Sequence, residues 1–247
     1  MTAAREHAIT PDVRPLEPFQ FGADAYWLFG GIAGLLVVAS VVGFLLRRRG
    51  ASKTVDNLIA RTNAWWIMVG VFAAALACGP GGVVLLFAFL SFHALREIVT
   101  LAPTRRGDHR TLFWAFFVAL PLQYVLIYLG WYGLFTVMIP VYGFLFFAIR
   151  SAVCGDCNDY LERAAKVFWA LMIAVYCLGH VPALLMLRIP DNDGGGWKLI
   201  VFLVFVTQLS DVLQYVWGKL VGRHKIVPTL SPNKTTEGYV GGTLSAT

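Results

Sequence analysis

The sequence predicts an all-α polytopic transmembrane protein of about seven spans, and three observations carry that fold class. Of its 247 residues, 58% are hydrophobic and 14% charged, against about 25% charged in an average soluble domain. The apolar residues fall into long blocks, most of them near the roughly 20 residues a helix needs to cross the hydrocarbon layer. The charges gather between the blocks, with the basic ones in alternate gaps. A soluble domain of this length cannot bury so much apolar surface, and a disordered chain would not contain it.

The elements follow in order. Residues 1–25 form a polar arm containing Pro11, Pro15 and Pro18. The first span covers 26–46, and without a small-residue cleavage site it reads as an uncleaved anchor. Two shorter apolar segments, 64–78 and 83–95, flank Gly79-Pro80-Gly81-Gly82. That pattern predicts a tight hairpin of two helices borrowing flanking residues, with one broken helix or a re-entrant pair as the alternatives. Spans over 112–129 and 131–149 meet at Gly130, with Pro121 and Pro140 as expected kinks. Spans over 165–187 and 197–217 complete the membrane domain, 26–217. Residues 218–247 read as a Gly/Lys-rich loop and the start of a further span.

Sixteen of the 20 Lys and Arg lie on one set of alternate loops, including Arg47, Lys53, Arg105, Arg163 and Lys225. The positive-inside rule then puts the N-terminus outside and the tail in the cytoplasm. The net charge of +6 is accordingly a topology signal, and no nucleic-acid partner is expected from it. The four cysteines are too scattered for a disulfide framework.

Asp211 is the one acid inside a predicted span. A carboxylate there costs about 2.5 kcal/mol or more on insertion scales, so by default it marks a functional site. Thr207, Gln208, Asp211, Gln214 and Tyr215 recur at helical steps and make one face polar. The competing account is a polar seam between helices, or an Asp close enough to the interface to reach water.

The stretch after Gly218 discriminates. Gly218, Gly222, Gly238, Gly241 and Gly242 would let backbone N–H groups approach an anion. Lys219, Arg223, Lys225 and Lys234 supply charge, and Ser231, Thr235 and Thr236 supply hydroxyls. The order is not that of a Walker A loop. A basic loop attracted to anionic lipid is the unspecific alternative. An acid on a membrane helix followed by a Gly/Lys/Ser/Thr loop suits metal-assisted phosphate chemistry at a membrane surface.

Asp211, Gly218, Lys219, Gly222, Lys225, Pro228, Ser231, Pro232, Lys234, Thr235, Glu237, Gly238, Gly241 and Gly242 together fall in a known pattern. The chain thereby resembles the phosphatidate cytidylyltransferases, the CDP-diacylglycerol synthases. The most specific part is Ser-Pro-x-Lys-Thr-x-Glu-Gly-x-x-Gly-Gly, from Ser231 to Gly242. The resemblance implies that CTP and phosphatidate give CDP-diacylglycerol and pyrophosphate, with Mg2+ as cofactor. It assigns Asp211 to the metal, Lys219, Lys225 and Lys234 to phosphates, and Ser231 and Thr235 to phosphate hydrogen bonds. Glu237 would bind metal or pin a lysine of the loop.

The implied setting is a bacterial inner membrane with the signature loop in the cytoplasm, and a homodimer is compatible with it. Thr236 stands where many members carry an aromatic residue, and Val212-Leu213-Gln214 replaces small residues. The family's later motif, with a second metal-binding Asp, is expected to lie beyond Thr247, so the chain alone is expected to be inactive. A CTP-dependent lipid kinase of the polyprenol type and a non-enzymatic transporter are the competing functions.

Other features carry less. Cys154 and Cys157 have metal-ligand spacing but lack two further ligands nearby. His180 reads as a hydrogen-bond partner between helices. His93, Arg96 and Glu97 read as an interfacial salt bridge.

Overall fold

The computed structural model describes residues 16–50, 53–101, 108–153, 159–187, 195–228, 231 and 234–246. The features at Cys154, Cys157, Arg105, Arg106 and Pro232 lie outside the described residues. Seven helices are long and apolar enough to cross a membrane: α1 (Ala23–Arg49), α2 (Lys53–Ala77), α3 (Gly79–Leu101), α4 (Asp108–Tyr128), α5 (Tyr132–Ala152), α6 (Tyr160–Met186) and α7 (Gly196–Leu220). An eighth helix, α8 (Thr236–Ala246), follows the signature loop. The described residues contain no β-strand, only an isolated bridge between Lys225 and Thr235. The fold is therefore the all-α polytopic one. It divides into two compact units, Met1–Gly196 and Trp197–Thr247.

In the first unit, α2 and α3 form the expected hairpin of two separate helices. Only Cys78 stands between them, and Gly79 turns the chain with φ +78°, a conformation that costs an L side chain energy but not glycine. The two short apolar segments become full spans because polar residues from Lys53 onward wind into α2, while Gly79–Gly82 and Arg96–Leu101 extend α3. A helix that begins in the polar head-group zone loses nothing by including such residues.

The proline kinks take the form of wide π-helical turns. One covers Ala115–Ala119, just before Pro121, and another covers Met138–Gly143 around Pro140. Proline lacks the N–H of a regular turn and its ring crowds the carbonyl four residues back, so widening the turn relieves both problems. A third such turn, Met172–Cys177, lies in α6, which contains Pro182 and ends in a 3-10 turn.

The core forms where α3 packs against α4 and α6, with α5 closing the side. Val83, Phe87 and Leu95 of α3 are buried with Ile127, Phe135, Ile139, Leu171 and Val175. Two polar contacts in this core run across helices. The hydroxyls of Ser91 and Tyr124 hydrogen-bond, and Gln123 Nε2 donates to the Phe135 carbonyl at 3.1 Å. In contrast α1 packs mainly on α2, with Trp66 Nε1 donating to Ser40 Oγ at 3.1 Å. Most of its surface, including Val38, Phe44 and Leu45, is exposed and suited to lipid.

Three sequence expectations need correction here. Arg163 is no simple loop charge: it is buried, and its Nη2 lies 2.8 Å from Asp108 Oδ1. That pair joins the start of α4 to the start of α6. His180 bonds within its own helix, Nδ1 donating to the Tyr176 carbonyl at 2.8 Å, while its ring faces Phe135 of α5. His93 lies edge-on to Phe89 and Phe92. Among the described residues, Arg96 and Glu97 make no ion pair.

Candidate active site

All the candidate residues lie in the second unit, on α7, on α8, or between them. The hydroxyl of Thr207 is spent on its own helix, donating to the Leu203 carbonyl at 2.7 Å. Gln214 Nε2 likewise donates to Ser210 Oγ at 3.1 Å. Asp211, between them, is exposed, and among the described residues its carboxylate has no hydrogen bond or ion pair. At the end of α7 the Lys219 ammonium sits 5.9 Å from the centroid of the Tyr215 ring.

The glycines explain how α8 returns along α7. A Cβ on Gly238 would come within 2.8 Å of the Gln214 carbonyl oxygen, and one on Gly241 within 2.8 Å of the Trp217 ring. At Gly242 it would meet the Gln214 side chain and amide, and at Gly222 the Gly218 carbonyl and Thr235. Thr235 lies by Gly218 and Gly222, while Gly238 and Gly242 follow down α7 beside Gln214, so the two helices run antiparallel. Close approach of backbone at Gly222, Gly238 and Gly242, and of side chains at Gly218 and Gly241, accounts for small residues at these five positions. Their Cβ space holds the protein's own atoms.

The loop between the helices is closed at its base by a two-rung ladder. Ile226 N–H donates to the Lys234 carbonyl at 3.2 Å and Thr236 N–H to the His224 carbonyl at 2.9 Å, with Lys225 opposite Thr235. Further out, Ser231 N–H donates to the Val227 carbonyl at 2.9 Å. The ladder is a short platform that carries Lys225 on one strand and Lys234 on the other, one register step out of opposition and both exposed. Ser231 is half-buried beside them.

Two residues have structural duties that the sequence reading did not assign them. Thr235 is buried, and its Oγ1 accepts the Gly238 N–H at 3.2 Å, which caps α8 in the usual threonine manner. Among the described residues, Glu237 neither pairs with a lysine nor gathers with other acids. Its carboxylate accepts the Arg223 N–H at 3.0 Å, the His224 N–H at 3.2 Å and His224 Nδ1 at 2.6 Å. The His224 ring above all, and then the backbone N–H groups, hold the Glu237 carboxyl down at about 2. His224 was missed in the sequence. Thr235 followed by an acid is a helix-start signal that could have flagged the cap.

Among the described residues, no three His, Cys, Asp or Glu gather as metal ligands. Asp211 still fits Mg2+, which typically takes one or two protein carboxylates and completes its shell with substrate phosphate and water. An exposed carboxylate not engaged elsewhere meets that requirement.

The model of the cytidylyltransferase family matches residues 59–247. The chain belongs to the cytidylyltransferase family. This cytidylyltransferase-family chain is 36% identical over 212 residues to the uncharacterized protein YnbB of Escherichia coli K12, covering 85% of this chain and 68% of that one. It is 35% identical over 82 residues to the phosphatidate cytidylyltransferase of Staphylococcus saprophyticus, 32% of each chain. A phosphatidate cytidylyltransferase of Staphylococcus aureus is 33% identical over 80 residues, 32% of this chain and 31% of its own. The chain thus spans about a third of the length of these staphylococcal relatives. No solved structure matches it.

Proposed function

We propose that this family member is a phosphatidate cytidylyltransferase that transfers CMP from CTP to phosphatidate at the cytoplasmic face of a bacterial inner membrane. The observation that carries the reading is the loop platform: Lys225 and Lys234 fixed on one ladder, following a membrane helix that bears the exposed Asp211. Two lysines carried on neighbouring strands of one ladder supply positive charge for a triphosphate, and the backbone that bears them is set before substrate arrives, so little reorganisation is needed. The partial alignments to two phosphatidate cytidylyltransferases support the choice of lipid.

In this mechanism a phosphate oxygen of phosphatidate attacks the α-phosphorus of CTP. The bond from the α-phosphorus to its bridging oxygen breaks, and pyrophosphate leaves. The protein forms no covalent bond, so its contribution is positioning and charge neutralisation. Lys225 and Lys234 hold the nucleotide phosphates, and Lys219, in the last turn of the membrane helix, holds phosphate of the lipid or nucleotide. Ser231 offers a hydroxyl to the same phosphates. Asp211 would hold Mg2+, which when bound supplies charge neutralisation on the phosphate oxygens. Thr235 and Glu237 keep the platform in shape.

The test uses the purified full-length protein with α-labelled CTP and phosphatidate in mixed micelles. Label in CDP-diacylglycerol with release of pyrophosphate is the expected result. Phosphorylation of a polyprenol with CDP as product would replace the reading by a lipid kinase. Inertness of CTP toward both lipids would overturn it.

A further inference from the structure

We infer that His224 is a positioning residue, the clamp that sets the lysine platform for a nucleoside triphosphate. The inference rests on the reading of the loop as the CTP phosphate site, and it goes beyond that reading by naming what fixes the site's geometry.

The observations converge on one residue. His224 gives its carbonyl to the Thr236 N–H at 2.9 Å, its N–H to Glu237 Oε2 at 3.2 Å and its ring Nδ1 to Glu237 Oε1 at 2.6 Å. Since the carboxylate can only accept, Nδ1 is the donor in that bond. Every hydrogen-bonding group of His224 except Nε2 is thus committed to residues 236 and 237, at the start of α8. The next residue is Lys225, and Lys234 lies diagonally across the ladder.

Packing does not explain the ring. Its side chain is 82% exposed, so its removal leaves no cavity and costs no buried contact. What the ring supplies is the shortest of the bonds on Glu237. That carboxylate also receives the N–H groups of two consecutive residues, Arg223 and His224, just before the ladder begins. Loss of the ring frees the carboxylate to swing and loosens the base of the loop. The backbone that carries Lys225 and Lys234 then loses its fixed course, although each lysine keeps its charge. A triphosphate held by these lysines is bound more weakly, while turnover at saturation is kept.

The experiment compares wild type with His224→Ala and His224→Asn, the latter retaining a side-chain N–H donor. Two readouts are taken on each purified full-length protein. One is hydrogen exchange of the amides over residues 223–236, and the other is the initial rate as a function of CTP. In His224→Ala, exchange should quicken and KM for CTP should rise, each about tenfold, the loss expected from one charge-assisted hydrogen bond. Its kcat should stay within about twofold, and its unfolding temperature should not move. His224→Asn should recover most of both losses.

Unchanged exchange in His224→Ala would overturn the clamp. So would faster exchange with an unchanged KM, or lost kcat with KM held, which would make the ring a group acting on substrate. If wild type turns over no CTP, the function reading falls and inorganic pyrophosphate becomes the probe. Its affinity, measured by protection of the same amides, should then drop about tenfold in His224→Ala, and equal affinity would refute the positioning role.

Discussion

Asp211 can be altered without touching a contact, because its carboxylate is exposed and unengaged among the described residues. Asp211→Asn should therefore abolish CDP-diacylglycerol formation while the unfolding temperature in detergent stays the same or rises, since an intramembrane charge is removed. A polar seam between helices predicts the reverse, a weaker protein with normal turnover, and both quantities are measured on one sample. Lys225→Ala should act on binding, raising KM for CTP by roughly ten- to a hundredfold, the equivalent of about 1.4–2.8 kcal/mol and typical of a charged hydrogen bond. Glu237 makes a prediction in pH. Its folded carboxyl is held below the ordinary value of 4.5, at about 2. Its contribution to loop order is therefore fully present above the ordinary carboxylate range, and it is lost as pH falls through about 2. Carbon NMR of the Glu237 carboxyl should show no titration between pH 6 and 4, and a midpoint near 4.5 would contradict the clamp geometry. Asp211 was conspicuous in the sequence because charge in an apolar setting stands out, and the lysines because they cluster with glycines in one loop. The His224–Glu237 pair was not, since its partners are 13 positions apart and meet only when the loop closes.

At the level of elements, the glycines of the α7–α8 hairpin were visible as a pattern, but their use was not. Glycine beside lysine suits an anion site and a close helix crossing equally well, so the pattern alone does not announce the crossing. Gly238→Ala and Gly242→Ala should each destabilise the protein by about 1–3 kcal/mol, the scale of overpacking. Gly70→Ala, with open space around it in α2, should be neutral or slightly stabilising, as alanine is the better helix former. Unfolding temperatures of the three variants in one detergent decide it, and equal values would contradict the crossing. The α2–α3 hairpin was legible because Gly79-Pro80-Gly81-Gly82 punctuates the apolar run. The form of the kinks in α4 and α5 was not, since Pro121 and Pro140 announce a distortion and leave the choice of turn to the neighbouring helices.

The number of spans was the most legible property of the whole molecule, because hydropathy is set by the bilayer more than by neighbouring helices. Orientation rests on charge alone, and the buried Asp108–Arg163 pair removes one residue from that count without changing its sense. Cysteines placed at Arg49 and Lys225, in a background without the native four, should resist an impermeant maleimide added to intact cells. One placed at Tyr132, exposed next to the Gly130 turn, should react. Labelling at 49 and 225 with protection at 132 would invert the protein in the membrane. Which helices pair within the first unit could not be read from the sequence, as apolar faces of similar composition give no preference for one neighbour over another.

The ladder and the Glu237 clamp close the loop from outside its tip, and the tip has its own bond between Ser231 and Val227. Residues 227–233 can therefore be exchanged as a cassette, without rethreading the helices on either side. A chimaera that takes this cassette from a relative and keeps His224, Thr235 and Glu237 should insert and unfold like the parent. Whatever changes in its choice of nucleotide or lipid then belongs to seven residues. Substrate preference in this architecture can diversify quickly on a hairpin that does not change.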